Sequence, residues 1–198
     1  GPPSKIHGAI HGNGHVYLIN PSGAVFGPTS SINVGGFVAS TLNITDDNAF
    51  MSGSKQLVFE RDDGNNAAVV NQGTINVGEG GVAALMGATA SNQGTINVAR
   101  GTGALVSGRK VTVDFEGDGL TRFTIPADSK ATQALVENIG TIQADGGRIA
   151  LQAASTAKAQ VVNQSGVLQA RSVQSRGGEI ILGAGPDPTA ADFSQLPE

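Results

Sequence analysis

In a chain of 198 residues, 29 Gly and 8 Pro interrupt the sequence too often for an all-helical fold, and with only 4% aromatic side chains the core has to be built from Val, Ile, Leu and Ala. Twelve Lys and Arg against sixteen Asp and Glu give a net charge of −4 without any basic run, which argues against nucleic acid and against a basic membrane-binding face. Zero Cys excludes disulfides and thiolate chemistry, and no apolar run approaches the ~20 residues of a membrane-spanning helix, so no membrane insertion is expected.

The chain opens Gly1-Pro2 without an initiator Met, which reads as the remnant of a proteolytic cut. Residues 1–4 are therefore set aside as a leader remnant, residues 5–185 as the folded domain, and residues 186–198, with Pro186, Pro188 and Pro197, as a linker or disordered tail. His7, His11 and His15 are spaced by four and would share a helix face, but Gly8, Gly12 and Gly14 oppose a helix. On an extended strand such neighbours stand ~13 Å apart, too far to share an ion at a Zn–N distance of ~2.0–2.1 Å, so they read as surface histidines.

Asn20-Pro21-Ser22-Gly23 reads as a turn, because Pro restricts φ while Ser and Gly complete the bend. Asn33 and Asn43 read as ladder or turn residues. Residues 50–66 interrupt the pattern: 55–59 alternate as a strand, and Arg61-Asp62-Asp63-Gly64-Asn65-Asn66 reads as a turn or exposed loop.

From residue 71 the sequence repeats itself. Asn71-Gln72-Gly73-Thr74-Ile75-Asn76-Val77 recurs 21 positions later as Asn92-Gln93-Gly94-Thr95-Ile96-Asn97-Val98, and looser copies begin at Asn138 and Asn163. Each copy meets a glycine cluster (Gly80-Gly81, Gly101 with Gly103, Gly146-Gly147, Gly177-Gly178) and then a second short strand. A unit of this size cannot bury an apolar face alone, whereas rungs stacked about 4.8 Å apart share a continuous core.

The expected fold is thus all-β, a parallel β-solenoid. A leucine-rich horseshoe is set aside for want of repeated leucines and a helix per repeat. Period-2 alternation places Ile75, Val77, Ile96, Val98, Ile142, Ala144, Ile149, Leu151, Leu168, Ala170, Ile180 and Leu182 inside, with Thr74, Asn76, Thr95 and Asn97 facing water. Asn71, Asn92, Asn138 and Asn163 would form a structural asparagine ladder, each amide bonding its equivalent one rung away. Between repeats, residues 111–125 read as a hairpin around Glu116-Gly117-Asp118-Gly119 that projects from the solenoid, and residues 128–137 read as a short helix.

The run Gly14-His15-Val16-Tyr17-Leu18-Ile19-Asn20-Pro21-Ser22-Gly23-Ala24-Val25-Phe26-Gly27, followed by Ile32-Asn33-Val34-Gly35-Gly36-Phe37-Val38-Ala39-Ser40-Thr41-Leu42-Asn43-Ile44, resembles the N-proximal secretion domain of two-partner-secretion exoproteins, the filamentous-haemagglutinin-like family. Ser22 stands where that pattern usually has Asn, and Ala24 where it has Ile or Val. An upstream capping segment and an earlier Asn-Pro-Asn-Leu motif have no counterpart in the sequence. The resemblance implies a right-handed parallel β-helix with extra-helical hairpins. It also implies a secretion address on a large Gram-negative exoprotein, commonly an adhesin, engaged in the periplasm by a partner outer-membrane transporter with POTRA domains. Asn20, Pro21, Ser22, Gly23, Asn33, Gly35, Gly36, Ser40, Thr41 and Leu42 carry the secretion motif under this reading, and a monomer is expected.

No chemistry competes with that reading. Asp46-Asp47 and Asp62-Asp63 could suggest acid–base work or calcium, but adjacent strand residues face opposite ways and no basic partner is placed beside them. Glycine-rich stretches such as Gly78-Glu79-Gly80-Gly81 lack the following helix and Lys of a phosphate loop, and no G-x-S-x-G is present. No catalytic residue, metal or cofactor is expected. The alternative is a carbohydrate-binding adhesin module that binds host or matrix glycans through exposed Asn, Thr and Gln, although sugar-stacking aromatics are scarce.

Overall fold

The structure, a computed structural model, describes residues 1–115, 120–126, 128–156, 161–172 and 177–184. The expected turn at 116–119 and the tail at 186–198 lie outside the described residues.

Among the described residues six rungs of three strands follow one another. The first is β1 (Ser4–Ile6), β2 (Ala9–His11) and β3 (His15–Ile19), and the second is β4 (Ala24–Phe26), β5 (Ser31–Val34) and β6 (Gly36–Ser40). The chain then leaves the column through β7 (Asn43–Ile44), α1 (Asp47–Met51) and β8 (Gln56–Glu60). It returns for β9 (Ala68–Asn71), β10 (Thr74–Val77) and β11 (Val82–Met86), then β12 (Thr89–Asn92), β13 (Thr95–Asn97) and β14 (Thr102–Ser107). A second excursion, β15 (Lys110–Asp114) and β16 (Arg122–Thr124), precedes β17 (Leu135–Asn138), β18 (Thr141–Gln143) and β19 (Arg148–Ala153). The last rung is β20 (Val162–Gln164), β21 (Val167–Gln169) and β22 (Glu179–Ala184).

First strands pair only with first strands, second with second and third with third, giving three six-stranded parallel sheets that face one another. This is a parallel β-helix. Register stacks like on like: Ile10, Ile32, Ile75, Ile96, Ile142 and Leu168 form one column through the second-strand sheet. Along the third-strand sheet Leu85, Leu105 and Leu151 form another. Identical side chains fill identical slots, so a single packing solution serves every rung.

Two glycine columns make the corners. A Cβ at Gly94 would stand 2.0 Å from the carbonyl oxygen of Gly73, at Gly140 2.0 Å from that of Gly94, and at Gly166 2.1 Å from that of Gly140. Gly81, Gly101 and Gly147 repeat this at the next corner, each Cβ meeting a carbonyl of the rung before at 2.0–2.3 Å. These glycines are required by close backbone approach, while Gly80 and Gly146 beside them take the positive φ of 77° and 71° that turns the corner.

The third-strand sheet is buried on both faces. Val82-Ala83-Ala84-Leu85-Met86 and Arg148-Ile149-Ala150-Leu151-Gln152-Ala153 are buried throughout, on both faces of the sheet. Leu85, Leu105 and Leu151 point into the solenoid core. Ala84, Met86, Ala104, Val106 and Ala150 point outward, into a second core closed by Leu57, Phe59, Val111, Val113 and Phe123. The covering layer is one antiparallel sheet made jointly by the two excursions, in the order β16-β15-β8-β7. The 111–125 hairpin therefore does not project: its alternating Val111, Val113 and Phe123 would expose a wholly apolar face, and folding back buries it.

Two further expectations are corrected. Residues 128–137 form no helix. Leu135–Asn138 pairs in parallel with Thr89–Asn92, and register with the preceding rung outweighs local propensity. The helix found among the described residues is α1, capped by Asp46, whose carboxylate accepts a hydrogen bond from the Ala49 amide at 3.0 Å. Ile180 and Leu182, expected inside, are 44% and 55% exposed because β22 is the last described strand of its sheet and has a neighbour on one side only among the described residues.

Candidate functional site

Both excursions leave after the third strand of a rung and rejoin at the first strand of the next, so they share one corner of the column with the 20–23 turn. At that turn the Ser22 amide donates to Asn20 Oδ1 at 2.9 Å and the Gly23 amide to the Asn20 carbonyl at 2.9 Å, with Gly23 at φ 112°. The Asn20 amide reaches across to the Ser4 hydroxyl at 2.9 Å and to the Pro2 carbonyl, fixing the first strand against the turn. Asn65, from the first excursion, donates to the Pro21 carbonyl at 2.9 Å and ties the loop to the motif.

The second motif sits in the rung that follows. Ser40 Oγ donates to the Leu42 carbonyl and accepts from the Leu42 amide, both at 2.9 Å, forming the bend by which the chain leaves the column. Thr41 donates its amide to the Met86 carbonyl at 2.9 Å, and Leu42 is fully buried in the second core. Gly35 lies where a Cβ would be 2.4 Å from the Asn13 carbonyl oxygen, and at Gly36 one would meet the His15 ring. Phe26 and Phe37, one from each motif, pack edge to face with centroids 5.4 Å apart and are both fully buried.

Asn33 lies on the outer face, where its Oδ1 accepts from Asn76 at 3.0 Å, and Asn97 donates to Asn76 Oδ1 at 2.9 Å. This outer ladder half-buries residues expected to face water. Asn43 is exposed and pairs with Glu60 in the covering sheet, far from any ladder.

The inner ladder runs Asn71 to Asn92 at 2.9 Å, Asn92 to Asn138 at 2.8 Å and Asn138 to Gln164 at 2.9 Å. Asn163 is not its fourth member: it pairs with Glu137 on the outer face, donating to Oε1 at 3.2 Å. Gly166 must sit against the Gly140 carbonyl, and two residues before it stands Gln164, where Asn71, Asn92 and Asn138 each stand two before their glycine.

Neither acidic pair gathers catalytic company. Asp46 caps α1, and Asp63 accepts from the Thr132 hydroxyl and, at 2.6 Å, from the Thr132 amide, bonds that hold its carboxyl below the usual range. Beside it, Arg61 is buried and donates to the carbonyls of Gly108, Asn65 and Gln133, joining the bases of the two excursions; burial lowers its pKa. In the sequence Arg61 reads as part of a turn or exposed loop, and only the arrival of two distant segments around it explains its burial. Among the described residues no group of three His, Asp or Glu could hold a metal, and no helix is long and apolar enough to cross a membrane.

A corner that gathers the two motifs and both excursions, on a column of glycine-gated rungs, can be set beside known proteins. A family model, the TPS secretion domain, matches residues 1–190. Among solved structures the chain is similar to the HMW1 secretion domain from Haemophilus influenzae, with a TM-score of 0.71 and 35% identity over 85% of this chain and 42% of that one. The chain thus spans less than half the length of that relative. Comparison with curated protein sequences found no match. The three-faced column, the paired motifs and the match over nearly the whole chain agree, and the chain belongs to the TPS secretion domain family.

Proposed function

We propose that this chain is the export address of a large adhesin-type exoprotein, recognised in the periplasm by the POTRA domains of its partner outer-membrane transporter, and that it starts β-helix growth as the rest of the exoprotein emerges. As a TPS secretion domain it is a module of two-partner secretion, which works with a partner transporter. The motif corner supports recognition, because Asn20, Pro21, Ser22 and Gly23 are held rigidly by Ser4 and Asn65 and so offer a preorganised surface.

The observation that carries the growth reading is the sixth rung. Ile180 and Leu182, in register with the core residues Ile149 and Leu151, expose 44% and 55% of their surface on β22, which among the described strands ends its sheet and so presents a half-made layer of core. A following segment gains hydrogen bonds and apolar burial by docking there, one rung at a time.

Calorimetry between this chain and purified POTRA domains, together with export of a passenger fused behind it, tests the reading. Saturable binding with passenger export is expected; failure of the chain to bind the POTRA domains overturns recognition. Ile180→Lys, at an exposed side chain, is expected to leave this domain folded and POTRA binding intact while arresting β-helix formation in the segment that follows. Unchanged growth in that variant overturns nucleation.

A further inference from the structure

On the outer face of the third-strand sheet the antiparallel cover stops short of the corner where Gly80 and Gly81 turn the chain. A groove of about 490 Å³ remains between that corner, the first excursion and the hairpin, within the range of roughly 300–1,000 Å³ typical of small-molecule sites. Tyr17, Phe50 and Phe115 line it, three of the eight aromatic side chains in the sequence. Tyr17 and Phe50 meet edge to face, with centroids 5.0 Å apart and planes at 86°, an arrangement that leaves a ring face uncovered by the other ring.

Of the polar groups on the same groove, the Ser54 hydroxyl is taken up by the Gln56 backbone. Lys55, His15 and the hydroxyls of Tyr17 and Thr121 make no side-chain hydrogen bond or ion pair with another described residue. No carboxylate is among the described residues that line it. Half-burial raises the pKa of Tyr17, so its hydroxyl keeps the proton and remains a donor. Aromatic surface, hydroxyl donors and an ammonium that no described carboxylate neutralises thus converge in one concavity. A bare anion would leave the rings unused, and a neutral hexose would leave Lys55 without a counter-charge.

We propose that this groove binds a pyranose that carries a carboxylate, a uronic-acid residue. The C–H face of the sugar lies on the aromatic side chains, the carboxylate pairs with Lys55, and ring hydroxyls accept from Tyr17 and Thr121. The proposal does not depend on the secretion reading, since the groove lies on the covered face and not at the motif corner.

Titration of the intact chain with glucuronic acid, methyl glucoside and acetate, followed by calorimetry and saturation-transfer NMR, tests it. Glucuronic acid is expected to saturate the site, with methyl glucoside and acetate each at least about tenfold weaker. Lys55→Gln, at an exposed side chain, should bring glucuronic acid down to the level of methyl glucoside, while Lys130→Gln, exposed and away from the groove, leaves it unchanged. The proposal is overturned by absence of saturation at about 50 mM glucuronic acid, by acetate binding as well as the sugar acid, or by an affinity that Lys55→Gln does not alter.

Discussion

The side-chain amide of Asn71 donates to Oδ1 of Asn92, 2.9 Å away and 21 residues further along the chain. Both residues are fully buried, and each amide also donates to the carbonyl two residues on, Gly73 for Asn71 and Gly94 for Asn92, with Asn92 reaching the Thr141 carbonyl of the next rung as well. The Gly73 and Gly94 carbonyls already accept from the Thr95 and Thr141 amides of the next rung, so the ladder adds a second donor to each and satisfies the buried Asn amides themselves.

Asn92→Ala removes a donor and an acceptor from the middle of that ladder and strands the Asn71 amide. A loss of about 2–4 kcal/mol is expected by urea denaturation. Gln72→Ala, at the exposed pair in which Gln72 donates to Gln93 Oε1, should cost less than about 0.5 kcal/mol. Equal losses for the two would remove burial as the reason for the inner ladder.

Gly94→Ala places a methyl 2.0 Å from the Gly73 carbonyl oxygen, where backbone has to move in two rungs at once. A loss above about 3 kcal/mol or failure to fold is expected. Gly64→Ala, with open space around its Cβ, should be neutral or stabilising by up to about 1 kcal/mol. Thermal melts of the pair separate close approach from simple loss of a glycine.

Ile96 stands in the middle of the isoleucine column, fully buried. Ile96→Pro deletes a ladder donor and the side chain together, a cost of about 3 kcal/mol or more. Refolding of the chain should fail, and export of a full-length exoprotein carrying the change should fall with it. Undiminished export would uncouple rung formation from secretion.

Asp145 accepts from the Arg171 guanidinium at 2.7 Å and from the Arg171 amide at 2.8 Å, and these bonds lower its carboxyl from 3.8 to about 2. A depressed folded-state pKa contributes stability that is present above the unfolded value and is lost as the pH falls through the folded one. Wild type should therefore lose stability faster than Asp145→Asn between about pH 4 and pH 2, and the two should run parallel above that window. Urea midpoints across pH 2–6 read the difference; parallel curves throughout would discount the pair.

Arg61→Met leaves three carbonyls, those of Gly108, Asn65 and Gln133, without their donor at the base of both excursions. The expected loss is about 2–4 kcal/mol. Hydrogen exchange should quicken first in β8 and β15, the paired strands that these segments support. Uniform quickening across the rungs would deny Arg61 that local role.

Columns were legible in the residues because a repeat that stacks on itself writes its own register: Ile75 over Ile96 and Asn71 over Asn92 follow from a single offset. The hairpin strands were equally plain from alternation, but the place where their apolar face is buried was not. That depends on the outer face of β11, β14 and β19, for which the unbroken apolar run Val82–Met86 was the available signal. Asn163 was chosen by residue type, whereas Gly166 and its contact with Gly140 select Gln164.

Periodicity alone, then, determined that this chain is a column of parallel rungs with glycine corners, since neighbouring rungs differ by one short translation and local pattern is the whole of the information needed. The meeting of β8 with β15 and the burial of Arg61 were decided only in three dimensions. Those contacts join segments about fifty residues apart that share no repeat, and which partner each takes is set by the apolar area it can bury there.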